Sequence, residues 1–195
     1  MATTITTAPL KIISGGQTGA DLAALIAAKA VGLETGGTAS EGFQTEMGAN
    51  VDLRRVYGLT AEGSYKARTK KNVDDADATI VLLVHEGKGG AAKTIGWASN
   101  QRWECQLHSK LHGGYRPVMV LKADDLEEEH LEESAMKIVQ FVRLTGTRVL
   151  NVAGHRQSTA FMPEFFLDGP PYDYQKRCVD LLTLAFASVV RQATT

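Results

Sequence analysis

The chain is short of the features that announce many functions. It holds two cysteines in 195 residues, Cys105 and Cys178, far apart and without Cys-x-x-Cys spacing. That excludes a disulfide framework. With no close Cys/His cluster, it also excludes a structural zinc site. No metal ligands are expected, and two reduced thiols of a cytoplasmic protein are the simplest reading. Neither charge sign dominates: 21 Lys and Arg face 22 Asp and Glu, for a net −1. This argues against broad nucleic-acid binding, though not against one local basic pocket. No apolar run approaches the roughly 20 residues of a membrane span. Residues 1–9 have neither the charged start nor the apolar centre of a signal peptide, so a loose N-terminal tail is expected.

What is present is an alternation of short apolar runs and longer helical stretches within a single domain, residues 1–195. Strands are expected at Lys11–Ile13, Ala78–Val84, Pro117–Lys122 and Arg148–Ala153, with 78–84 apolar throughout, as a central parallel strand requires. Helices are expected at Asp21–Val31, at Tyr65–Val73 capped by Ser64, at Thr94–Leu107, at Leu126–Leu144 and, C-terminally, over residues 173–192. Gly36–Gly48 reads as a loop, and the acidic run Glu127–Glu133 as a solvated helix face. The alternation predicts an α/β fold: a Rossmann-like, mainly parallel sheet flanked by helices on both faces. Ligands of such sheets bind at the carboxyl ends of the strands. Three polar loops leave those ends, at 14–21, 85–94 and 154–159.

The first loop is the most informative. Lys-Ile-Ile runs into Ser14-Gly15-Gly16-Gln17-Thr18-Gly19 and a helix starts at once. Glycines permit close backbone approach, hydroxyls add donors, and a helix N-terminus favours an anion. The pattern is neither a Walker P-loop nor a dinucleotide Gly-x-Gly-x-x-Gly. Gly15, Gly16, Thr18 and Gly19 are expected to cradle a phosphate, so Gly19→Val should abolish binding and leave the fold largely intact. Asp21 supports either the helix start or a ligand. Arg68 and Asn72, four apart, share one helix face, and Arg68 offers a fork for phosphate. Gly89, Gly90 and Thr94 form a second glycine turn before a helix. Arg156 and Ser158 suit an anion by type. His155 reads either as a proton carrier or as an ordinary polar loop group, and no catalytic residue can be assigned.

Taken together, Ser14–Asp21, Gly36-Gly37, Arg68-Thr69 with Asn72-Val73 and Asp77-Ala78-Thr79, and Asn151-Val152-Ala153-Gly154 with Arg156 and Ser158 resemble the circularly permuted YpsA-like branch of the SLOG superfamily. Its members carry the name of molybdenum carrier proteins, and several resemble the molybdenum cofactor carrier protein. The resemblance covers roughly residues 10–160. It implies a Rossmann-like fold and a small phosphorylated ligand, a pterin or nucleotide, with the molybdenum cofactor as the leading cargo. It also implies a homo-oligomer, tetramer or dimer. The chain departs from the pattern at His155, where Pro is usual, at Gln157, where Glu is usual, and at Ala91-Ala92, where an extra Thr is usual. His108–Arg116 looks inserted. Phosphoribohydrolases of the superfamily carry a catalytic Glu whose counterpart here is Trp97, so a carrier is expected ahead of a nucleotide hydrolase or a nucleotide sensor.

Overall fold

A computed structural model of the chain describes residues 10–86, 89–100, 116–160 and 173–193. The tail at 1–9, Gly87, Lys88, Glu104, Cys105, the apparent insertion up to residue 115 and the stretch 161–172 lie outside them. In chain order the elements are β1 (Lys11–Ile13), α1 (Ala20–Ala30), β2 (Glu34–Gly36), β3 (Thr38–Ala39), β4 (Gln44–Thr45), β5 (Gly48–Ala49), α2 (Asp52–Arg55) and β6 (Thr60–Ala61). Then come α3 (Tyr65–Asp75), β7 (Ala78–Leu82), α4 (Gly89–Asn100), β8 (Val118–Leu121), α5 (Leu131–Thr145), β9 (Val149–Gly154) and α6 (Tyr174–Ala193).

Five strands form one sheet in the order β2-β1-β9-β7-β8, every pair parallel. The predicted fold class therefore stands. The middle position, however, belongs to β9 rather than to the apolar 78–84 run, whose strand lies one place further out. Moving the last strand to the front of the chain would turn this order into 3-2-1-4-5, that of a doubly wound sheet. The chain leaves β1 towards one edge and β7 towards the other, so the sheet's crevice opens between them, over the end of β9.

Alternation along β7 sets the two layers. Ala78, Ile80 and Leu82 join a large core with α1, α5 and α6, while Val81 and Leu83 pack with Ala91 and Ile95 of α4 on the other face. Helix α1 fits tightly because Ala20, Ala23, Ala24, Ala27 and Ala28 are fully buried. Helix α6 presents Cys178, Leu181, Leu182, Ala185 and Phe186 to the same core, and burial pushes the Cys178 thiol up. Ser64 caps α3 by accepting the Ala67 N–H at 3.3 Å. Arg116 closes the other end of α3, donating to the carbonyls of Val73, Asp74 and Ala76.

Three expectations need correction. Gly36–Gly48 is not a plain loop: it contains β3, which pairs with β6, and β4, which pairs with β5. The acidic stretch after β8 forms short 3-10 turns, and the α-helix proper begins only at Leu131. Helix α4 starts at Gly89, five residues before the expected Thr94. In each case short, glycine-rich or polar segments carry too little periodicity to be read.

Candidate functional site

The carboxyl ends of β1, β9 and β7 lie side by side, so the loops leaving them meet. A cavity of about 650 Å³ opens there, bounded also by α3 and the first turns of α4. The structure brings Gly15, Gln17, Asp21, Arg68, Asn72, Gly89, Gly90, Thr94 and Arg156 onto its wall. Ser14, Gly16, Thr18, Gly19 and Ser158, also predicted, are not on the wall. Tyr65, Trp97, Asn151, Thr159, His85 and His155 line the cavity as well.

The first loop grips its own chain. The Gly16 N–H donates to Ser14 Oγ at 3.2 Å, the Gln17 N–H to Asp21 Oδ2 at 3.4 Å and the Thr18 N–H to Gln17 Oε1 at 3.1 Å. The Gly19 N–H donates to Gln175 Oε1 at 2.9 Å, and the Ala20 N–H to the His155 carbonyl at 3.2 Å. Of the amides expected to cradle a phosphate, those of Gly16, Thr18 and Gly19 thus already have acceptors. Gly19 has φ 77, and a Cβ there would stand 2.3 Å from the His155 carbonyl oxygen. This glycine lets the first loop press against the last one.

Arg68 reaches across from α3 to Asp21, Nη1 to Oδ2 at 2.7 Å, with both side chains largely buried. Its guanidinium covers Gly15 so closely that a Cβ there would lie 1.2 Å from Nη1. Asn72, on the same face, spends its amide on the Thr38 backbone, accepting from the N–H at 2.8 Å and donating to the carbonyl at 2.9 Å. Thr94 Oγ1 donates to the Gly90 carbonyl at 3.0 Å. Arg156 lays its guanidinium over the Tyr65 ring at 5.1 Å.

Thr18 and Ser158, donors from two distant loops, converge on one internal carboxylate. Glu46, in the turn between β4 and β5, accepts from Thr18 Oγ1 and from the N–H and Oγ of Ser158. Burial alone would raise this carboxyl. Hydrogen bonds from Ser158 and Thr18, with the charge of Arg156, outweigh it and hold the group below the usual carboxylate range. Glu46 left no signal in the sequence, being one acid in a stretch without periodicity. Gln175, which accepts from Gly19 and whose N–H donates to Gln157 Oε1 at 2.7 Å, was equally illegible.

His155 is 6% exposed. Its Nδ1 accepts the Val84 N–H at 3.2 Å. Burial first, and His85 second, push the imidazole down to about 4, so it is neutral near pH 7. Three buried nitrogens on cavity-lining residues have no hydrogen-bond partner: Gln17 Nε2, Arg68 Nε and His155 Nε2. Among the described residues, no group of three or more His, Cys, Asp or Glu side chains could hold a metal ion, and no helix is long and apolar enough to cross a membrane.

Residues 12–163 match the Circularly permutated YpsA SLOG family. A solved structure at 1.45 Å resolution, of a protein from Syntrophus aciditrophicus SB named "Putative molybdenum carrier protein", is similar to this chain. Its TM-score is 0.68 and its sequence identity 29%, over 92% of this chain and 96% of that one. No curated protein matches the chain.

Proposed function

Since the chain belongs to the circularly permutated YpsA SLOG family, we propose that it binds a phosphorylated pterin or nucleotide in the cavity above β9. In this reading it carries or stores the ligand, with the molybdenum cofactor as cargo, and does not convert it. The observation that supports this most is the set of buried, unpartnered nitrogens on residues that line the cavity. Gln17 Nε2 and Arg68 Nε carry N–H bonds, and so does the neutral His155 at Nε2. Buried donors without partners are costly, so a site rich in them calls for an acceptor-rich occupant. The first amides of α4, at Gly89, Gly90 and Ala91, add donors and the positive end of a helix dipole. Arg156 adds charge at the mouth, and Tyr65 and Trp97 supply ring faces for a heterocycle.

A volume of about 650 Å³ sits within the roughly 300–1,000 Å³ of small-molecule sites. The donor set fits the phosphate and ring oxygens of a pterin. A molybdenum atom would be held by the cargo's own dithiolene, so the wall needs no thiolate. Within the site, Gly15, Gln17, Asp21, Arg68, Asn72, Gly89, Gly90, Thr94 and Arg156 form the wall. Ser14, Gly16, Thr18, Gly19 and Ser158 hold the loops that shape it. A cytoplasmic homo-oligomer completes the proposal. The similar carrier protein and Trp97, at the place of the phosphoribohydrolase Glu, favour binding over turnover.

The test is mass spectrometry of small molecules released from natively purified protein, with calorimetric titration of GMP, whose guanine shares the pterin's amino-oxo-pyrimidine ring. A phosphorylated pterin or nucleotide in the released fraction is expected, and GMP affinity should fall about tenfold or more in Arg156→Ala. Absence of any such compound, with no GMP binding, overturns the reading. Sustained release of base or phosphate from a nucleotide panel would replace the carrier by an enzyme.

A further inference from the structure

His155 occupies a place where its proton is fixed by the backbone. The Val84 N–H can only donate, and it donates into Nδ1 at 3.2 Å. The ring's lone pair is therefore at Nδ1 and its proton at Nε2. Forming the imidazolium would put a second N–H against the Val84 N–H, so hydrogen-bond geometry and burial both oppose charging. The residue is also held rigidly. Its N–H meets the Leu82 carbonyl at 3.2 Å and Tyr174 Oη at 3.3 Å, and its carbonyl accepts from the Ala20 N–H at 3.2 Å.

The Nε2–H that results has no partner and is buried. His85 does not take it, although the two rings lie 4.0 Å apart between centroids. Both His85 nitrogens already face backbone carbonyls, Nε2 that of Thr159 at 2.7 Å and Nδ1 that of Glu86 at 3.1 Å. A cavity-lining residue thus carries a buried, oriented, uncharged N–H donor, and it is none of the residues expected from the sequence to bind a ligand.

We propose that His155 is a specificity-determining residue of the cavity, its Nε2–H donating to an oxygen acceptor of the bound phosphorylated ring compound. This rests on the reading that the cavity takes such a compound. Its chemistry complements the arginines: Arg68 and Arg156 favour any anion, whereas a neutral, fixed donor rewards one correctly placed oxygen and costs affinity when that oxygen is absent.

Two substitutions separate this role from a structural one. His155→Asn keeps an acceptor near the Nδ1 position for Val84 and removes the distal donor. His155→Gln keeps an N–H near the Nε2 position and loses the Val84 acceptor. With GMP as the calorimetric probe on the full chain, His155→Asn should bind about tenfold or more weakly than wild type, and His155→Gln should lose less. Inorganic phosphate, titrated alongside, tells which oxygen is read: phosphate affinity falls in His155→Asn if it is phosphoryl and holds if it belongs to the ring.

His155→Asn binding GMP like wild type, or His155→Gln losing more than His155→Asn, would overturn the proposal and leave the cavity reading standing. A wild-type chain that binds no GMP and releases no phosphorylated pterin or nucleotide overturns both. If neither variant folds, nitrogen-15 spectra of the wild-type imidazole decide. The Nε2–H resonance should be present at neutral pH and shift on addition of GMP, and a resonance unmoved at saturation refutes the assignment.

Discussion

At the residue scale the site is a set of internal pairings more than an open cradle, and this changes what substitutions will do. Gly19→Val places a β-branched side chain at φ 77 against the backbone of His155, 2.3 Å from its carbonyl oxygen. The expected selective loss of binding is therefore replaced by loss of the fold, visible as a collapsed melting transition in circular dichroism. Arg68→Ala strands the Asp21 carboxylate, which keeps only the long Gln17 N–H bond. Breaking a buried pair in this way costs about 3–5 kcal/mol. Adding Asp21→Asn should recover much of that in denaturant titration, and no recovery would show that the pair does not hold α3 to the first loop. Lys70→Ala removes only an exposed pair with Asp74, spaced for one helix face, and should change stability by less than about 0.5 kcal/mol. Arg68 was legible as a cation near an anion site. That its first partner is Asp21 was not, because 47 residues separate the two and only the packing of α3 against the first loop joins them.

At the element scale, the β4–β5 hairpin is pinned to the last loop through Glu46. The carboxyl's folded value lies below its ordinary 4.5. Its contribution is therefore present above pH 4.5 and lost as pH falls through the lower folded value. Acidification below 4.5 should free the hairpin, read as faster hydrogen exchange at the Ser158 amide. Glu46→Gln should show that faster exchange already at neutral pH and no further acid step. An unchanged rate in Glu46→Gln would mean the hairpin is held by other contacts, such as Tyr65 Oη donating to the Gln44 carbonyl at 3.2 Å. His155 works over a higher window. Its neutral form is favoured in the fold, so stability falls between pH 6.5 and about 4 as the unfolded chain takes up the proton and the folded one does not. Of the helices that flank the site, α3 was the most readable because its Ser64 cap is local. The hairpin was not readable, since two-residue strands leave no period to detect.

For the whole molecule, the alternation of runs disclosed the layers and the parallel sheet, and the position of the loops at strand ends pointed to the end of the sheet where the cavity lies. It could not disclose that the last strand inserts between the first and third of the five. Strand order follows from which neighbours complete the sheet, and Asp77 ties β9 to the start of β7 by accepting from the Arg148 and Val149 N–H groups. Insertion of β9 brings His155 and Arg156 over the cavity between loops that are otherwise far apart in the chain. In the proposed reading a ligand there would touch the first loop, α3, α4 and the last loop together, so its binding free energy would add to the stability of all of them rather than of one segment. At a hundredfold excess over Kd that amounts to about 2.7 kcal/mol, and in a domain of this size each kcal/mol raises Tm by roughly 2–4 °C. Saturating GMP should therefore raise the melting temperature by roughly 5–10 °C as one cooperative transition. A rise confined to one of two resolved transitions would place the ligand on a local element, and no rise at a concentration where calorimetry shows saturation would place it outside the cavity that joins these loops.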